Sequence, residues 1–210
     1  MFPSKKNPHI VIEGDCSEGL RKLIELAKKQ PEKRVHLTFL DPPFNQGKEY
    51  REHDDLMKEE DYWNWMKEVC KMTHQLSEEG AASYFMQREK NVKEVITVLE
   101  EAGWTYQNLI IWKKLTSAVP QKNRFGKQFQ IIVFATKGKR PRVFHRVRID
   151  LPIEPHHKYE REEGVYATGL WTDIRELTAG YFAGDEALRD ENNERIHKQQ
   201  SPVALLARII

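Results

Sequence analysis

Asp41-Pro42-Pro43-Phe44 is the stretch of this 210-residue chain best suited to chemistry. An exocyclic amino group on a nucleobase is a poor nucleophile, because its lone pair is delocalised into the ring. Two hydrogen-bond acceptors, one for each N–H, draw the nitrogen towards tetrahedral geometry and release that lone pair. The Asp41 carboxylate offers one acceptor and the backbone carbonyl of Pro42 another. Two consecutive prolines have a fixed φ and no N–H, so the turn that carries these acceptors is stiff. Phe44 adds a flat face for a base taken out of its stack. Such a site works by preorganised electrostatics, without a metal. The plainer reading is a strand-to-turn junction, since Asp and Pro are ordinary turn residues.

What places the turn is the apolar run before it. Residues 35–40 (VHLTFL) predict a strand that is apolar or small on both faces, the pattern of a central strand in a parallel sheet. Ligands of open α/β sheets bind beyond the carboxyl ends of such strands. Around it, strand and helix patterns alternate. Residues 9–13 predict a strand. Ser17 is a candidate cap for a helix carrying Leu20, Leu23, Ile24 and Ala27. Tyr62, Met66, Val69, Thr73 and Leu76 mark a helix face that Gly80 breaks, and 81–86 predict a strand. Val92, Val95, Ile96, Leu99 and Ala102 mark another helix, ended by Gly103. Residues 104–112 and 128–136 predict two strands with no helix between them, hence antiparallel neighbours. Val203, Leu206, Ala207 and Ile210 predict a last helical face. The expected fold class is α/β, a doubly wound Rossmann-like sheet. Its expected parts are a core over 1–136, a basic loop-rich insertion over 137–168 and a final segment over 169–210.

Charge singles out part of this chain. The net charge is only +2, yet no Asp or Glu occurs from Ala102 to Ile149. Those residues hold Lys113, Lys114, Lys122, Arg124, Lys127, Lys137, Lys139, Arg140, Arg142, Arg146 and Arg148, so the stretch carries +11 and the remainder −9. A polyanion is the natural partner, and nucleic acid the commonest one; a solvated basic face is the bland alternative. Two distant cysteines, Cys16 and Cys70, supply neither a disulfide framework nor zinc spacing, and His156-His157 with Glu154 lacks a third ligand, so no metal is expected. No apolar run reaches the length of a membrane span or a signal peptide; the expected compartment is a reducing cytoplasm, without membrane partners.

Several stretches, in this order, resemble the amino-methylating DNA methyltransferases of the permuted bacterial type, adenine-specific by motif. They are IVIEGDCSEGLRKL at 11–24, HLTFLDPPF at 36–44, GWTYQNLIIWKK at 103–114, RFGKQFQIIVFATKG at 124–138, GLWTDI at 169–174 and HKQQSP at 197–202. The resemblance implies S-adenosylmethionine as methyl donor and double-stranded DNA with a flipped adenine as substrate. It implies that Asp41, Pro42, Pro43 and Phe44 form the catalytic loop and that Asp15 and Cys16 lie near the cofactor. It makes His197, Gln200, Ser201 and Pro202 a second cofactor-side element. Residues 137–168 fall where the family keeps its target-recognition segment. This agrees with the charge argument, which makes Lys113, Lys122, Arg124, Lys137, Lys139, Arg140, Arg142, Arg146 and Arg148 the candidate DNA contacts.

The chain departs from the family pattern at three places. Ser201 stands where a lysine is usual, and Phe129-Gln130 where His-Glu is common. No G-x-G pair occurs among the eleven glycines, so the glycine-rich cofactor loop is missing from these residues. Without the strand that carries this loop, VHLTFL is expected at a sheet edge. The chain is then expected to be part of a methyltransferase, weak in cofactor binding and inactive alone. The competing readings are a cytosine-N4 methyltransferase, an RNA or protein-amide methyltransferase, and a DNA-binding remnant without transfer chemistry. Whether the chain pairs with a second copy of itself or with a restriction endonuclease is open.

Overall fold

A computed structural model of the chain describes residues 9–46, 49–50, 53–54, 57–114, 122–150, 163–177, 186–196 and 200–210. Its elements run α1 (Cys16–Lys29), β1 (Val35–Leu40), β2 (Glu49–Tyr50), β3 (His53–Asp54), α2 (Glu59–Leu76), β4 (Ser77–Arg88), α3 (Val92–Glu101), β5 (Trp104–Lys113), β6 (Phe129–Lys137), β7 (Arg148–Ile149), β8 (Val165–Tyr166), β9 (Leu170–Trp171) and α4 (Val203–Ile209). Five strands form one sheet in the order β1-β4-β6-β5-β9. β4 runs parallel to β1 and β9 parallel to β5, while β6 is antiparallel to both of its neighbours. Four of the five strands therefore point the same way, and β6 is the reversed one. The expected α/β fold class and the antiparallel pairing of 104–112 with 128–136 are both found.

The middle strands are apolar on both faces because both faces are covered. On one face, Phe85, Ile131 and Val133 pack with Tyr62, Met66 and Val69 of α2 and with Val95, Val98 and Leu99 of α3. On the other, Tyr84, Met86, Ile132 and Phe134 pack with Trp112, Trp171, Ile174, Leu205 and Ile209. The i/i+3/i+4 apolar stripes of α2 and α3 require this seating. α1 joins the first layer through Ile24 and Ala27 against Leu76 of α2.

Several expectations are corrected. Residues 9–13 form no strand, and Ile10, Val11 and Ile12 are exposed; an isolated apolar run has no ladder partner there. β1 lies at the edge of the sheet, as expected without the strand that carries the glycine-rich loop and not at the centre that its apolar pattern alone suggests, and none of its residues is fully buried. Asp15 rather than Ser17 caps α1, its Oδ1 accepting from the Ser17 and Glu18 N–H groups at 2.9 and 3.1 Å. Gly80 does not break α2. The helix stops at Leu76, and Gly80 lies within β4 at φ +76°, its carbonyl accepting from the Arg142 N–H. In α4 the seated face is Leu205 and Ile209, whereas Val203, Ala207 and Ile210 are exposed; VALLARII is apolar almost all round, so periodicity alone does not choose the face.

Candidate active site

The Asp41-Pro42-Pro43-Phe44 turn leaves β1 at its carboxyl end, with Asp41 exposed and the next three residues half-buried. Its hold on the protein is through carbonyl and side-chain groups, because the prolines have no N–H to give. The Tyr62 hydroxyl, on α2, donates to the Pro43 carbonyl at 2.8 Å. Gln87 Nε2, on β4, donates to that same hydroxyl at 2.9 Å. Phe44 rests against the Tyr84/Phe134 face of the core. Asn45 turns the chain at φ +52°, a left-handed conformation that Asn tolerates. Its amide grips Met57 at both ends: Nδ2 donates to the Met57 carbonyl at 2.8 Å, and the Met57 N–H donates to Oδ1 at 2.9 Å.

Three further segments converge on this end of the sheet. The Ser201 hydroxyl donates to Asp41 Oδ2 at 2.9 Å. The Trp112 indole N–H, near the end of β5, donates to the Ile174 carbonyl at 2.9 Å, tying 171–176 to the sheet. Lys114 follows β5 and lays its ammonium 3.0 Å from the centre of the Trp112 ring. Burial pulls the Lys114 amine down to about 7, partly offset by the Glu176 and Asp41 carboxylates nearby. Glu176 is buried. The site is thus an exposed carboxylate on a stiff turn, a hydroxyl donor, and an amine balanced between its two protonation states near neutral pH.

The other expected site residues distribute differently. Gln200 spends its amide on backbone, accepting from the Leu188 N–H at 3.0 Å and donating to the Glu186 carbonyl at 2.9 Å. Pro202 is buried and opens α4. His197 lies outside the described residues. Asp15 is the cap of α1; beside it, partial burial and then the Asp15 charge push the Cys16 thiol up, so that thiol is neutral at pH 7.

The cations separate into two groups. Lys113, Lys122 and Arg124 lie at or beyond the carboxyl end of β5, on the Asp41 side. Arg146 and Arg148 stack on Tyr166, and Arg146 and Tyr166 line one cavity with His36, Gly80 and Arg142, away from Asp41. Lys139, Arg140 and Arg142 cross the opposite end, where Arg142 bonds to Gly80. Gly80 is level with the start of β1, so six strand residues at about 3.3 Å each put some 20 Å between that end and Asp41. Lys137 donates to the His74 and Ser77 carbonyls at 2.9 and 3.0 Å, capping the C-terminus of α2.

The strand, the proline turn behind it and the pairing of 104–113 with 129–137 all fall within one match. The family model described as DNA methylase, N6_N4_Mtase, covers residues 35–210. The chain belongs to this family. Among curated relatives of this DNA methylase chain, the DNA adenine methyltransferase YhdJ of Escherichia coli (strain K12) is 25% identical over 213 residues, covering 95% of this chain and 65% of YhdJ. The type II methyltransferase M.HpaI of Haemophilus parainfluenzae is 22% identical over 195 residues, covering 93% of this chain and 57% of M.HpaI. The chain therefore spans less than two thirds of the length of either relative. Similar solved structures include the M1.HpyAVI–SAM complex (17% identity, TM-score 0.41, 65% of this chain and 60% of that one). Another is TTHA0409 of Thermus thermophilus (18% identity, TM-score 0.43, 73% and 64%).

Sequence reasoning missed four contributors. Tyr62 reads as one more core residue of α2, and its hydroxyl is the only hint of a second duty. Gln87 is a polar residue closing the run AASYFMQ, which is a signal. Lys114 counts only as charge, and Glu176 stands in a stretch without periodicity.

Proposed function

We propose that this chain carries the catalytic part of an S-adenosylmethionine-dependent DNA methyltransferase that modifies the N6 amino group of adenine. The observation that carries the reading is the exposed Asp41 carboxylate on a proline turn held from beneath by Tyr62, at the carboxyl end of β1. Asp41 accepts one N–H of the target amine and the Pro42 carbonyl the other, while Phe44 offers its ring to the flipped base. The exposed carboxylate of Asp41 with the hydroxyl of Ser201 suits a cationic, amine-bearing cofactor; S-adenosylmethionine, when bound, supplies a methyl carbon on positively charged sulfur. Among the described residues no glycine-rich turn of free N–H groups stands by to take its carboxylate.

Duplex DNA then lies across the Asp41 end, with Lys113, Lys122 and Arg124 on its phosphates. The target-recognition role falls to residues 137–168.

Incubation of the protein with methyl-labelled S-adenosylmethionine and mixed-sequence duplex DNA, followed by nucleoside analysis, tests the reading. Label in N6-methyladenine, lost in Asp41→Ala, is the result expected on this reading, in place of the inactivity expected from the missing glycine-rich loop. Label in N4-methylcytosine, label that survives Asp41→Ala, or no label at all overturns it.

A further inference from the structure

Gln87 has no solvent exposure, and Tyr62 has 2%. A leucine and a phenylalanine would fill the same space without desolvating an amide and a hydroxyl, so the polar pair is costly unless it is used. The two groups are linked in one directed chain. Gln87 Oε1 accepts from the Arg88 N–H at 2.9 Å, which fixes the orientation of the amide. Its Nε2 therefore faces the Tyr62 hydroxyl and donates to it at 2.9 Å. With its oxygen occupied as acceptor, the hydroxyl turns its hydrogen to the Pro43 carbonyl, 2.8 Å away. Donation along such a chain strengthens each member. The chain starts in β4, passes through α2 and ends on the loop after β1, so it links three elements to one peptide plane.

That peptide plane lies next to the one that matters. Pro42 precedes a proline and is confined to extended or polyproline backbone, in which successive carbonyls point in different directions. We propose that Gln87 and Tyr62 are positioning residues for the transfer: by drawing the Pro43 carbonyl into the core they present the Pro42 carbonyl outward, beside the Asp41 carboxylate, as the second acceptor for the target amine. The inference rests on the methyl-transfer reading. It also explains why the handle is a carbonyl. A turn with two prolines offers the protein no N–H at those positions, so a buried donor is the means of holding its backbone there.

The test compares wild type with Tyr62→Phe and with Gln87→Met, which keeps volume and loses the donor. Three quantities are measured: single-turnover methyl-transfer rate, KM for DNA, and hydrogen exchange of the Phe44 and Asn45 amides. Tyr62→Phe is expected to lower the rate about 10- to 100-fold, the scale for one preorganised acceptor or donor. KM for DNA should stay within about two-fold, since ground-state binding is untouched. Gln87→Met should give a smaller fall in rate, and both variants should speed exchange at Phe44 and Asn45. A Tyr62→Phe rate equal to wild type per folded molecule overturns the inference, as does a loss confined to KM. If the wild-type protein transfers no methyl group, it is the functional reading that fails. Exchange then decides the positioning inference by itself, and unchanged Phe44 and Asn45 protection in Tyr62→Phe overturns it.

Discussion

Ser201 and Asp41 are 160 positions apart, and the Ser201 hydroxyl donates to Asp41 Oδ2 at 2.9 Å. The bond orients an exposed carboxylate. It also joins the first strand of the sheet to the start of α4, so the site is complete only when nearly all of the chain has folded.

Loss of that hydroxyl has a modest, specific effect. A hydrogen bond to a charged group contributes about 1.5–3 kcal/mol, less where water competes. Ser201→Ala is expected to slow methyl transfer about five- to ten-fold while the thermal midpoint barely moves, as single-turnover rates and calorimetry would show. Ser201→Lys, which restores the residue usual at this place in the family, is expected to be at least as active as wild type. Activity of Ser201→Ala equal to wild type would remove Ser201 from the site.

Lys114 gives a pH dependence whose sign is fixed. Its amine titrates at about 7 in the fold, against about 10.4 in the unfolded chain. Between those values the unfolded chain binds more protons, so stability rises with pH across this window and the penalty of burying the charge is greatest below 7. Urea midpoints of wild type are expected to climb from pH 6 to 9 relative to Lys114→Met. Parallel curves for the two proteins would contradict the assignment.

The two groups of cations should separate in salt titrations of DNA binding. Removing a cation that sits on a phosphate lowers the slope of log affinity against log salt by about one. Lys113→Ala and Arg124→Ala are expected to do this; Arg140→Ala and Arg142→Ala, at the far end of the sheet, are expected to leave the slope alone. The opposite outcome would move the DNA to the amino end.

Gly80 is constrained by backbone. At φ +76°, a Cβ there would stand 2.9 Å from the Arg142 Cβ and 3.0 Å from its nitrogen. Gly80→Ala is expected to cost about 1–3 kcal/mol, a fall of several degrees in thermal midpoint, with methyl transfer per folded molecule unchanged.

The sequence made the layered fold and the position of the proline turn legible, for identifiable reasons. VHLTFL and the stripes on α2 and α3 are strongly patterned, and their bounds fall within a residue or two of the strand and helices found, except the end of α2, expected at Gly80 and found at Leu76. Positions that depend on a neighbour were not legible. Residues 9–13 have strand composition, but composition does not supply a ladder partner. Ser17 and Asp15 are both good caps, and only backbone geometry chooses between them. In the basic stretch, charge alone did not sort the cations by place: Lys137 caps a helix, and Arg142 lies about 20 Å from the turn it was grouped with. The hydroxyl of Tyr62 and the amide of Gln87 meet through three elements, a coincidence of space that no local pattern encodes.

Among the described residues, β1 is paired on one flank only, and it is the strand that delivers Asp41. With one lateral partner, that strand takes its register from β4 alone, so the aim of the carboxylate at its tip depends on the β1–β4 ladder and on the tyrosine beneath the turn.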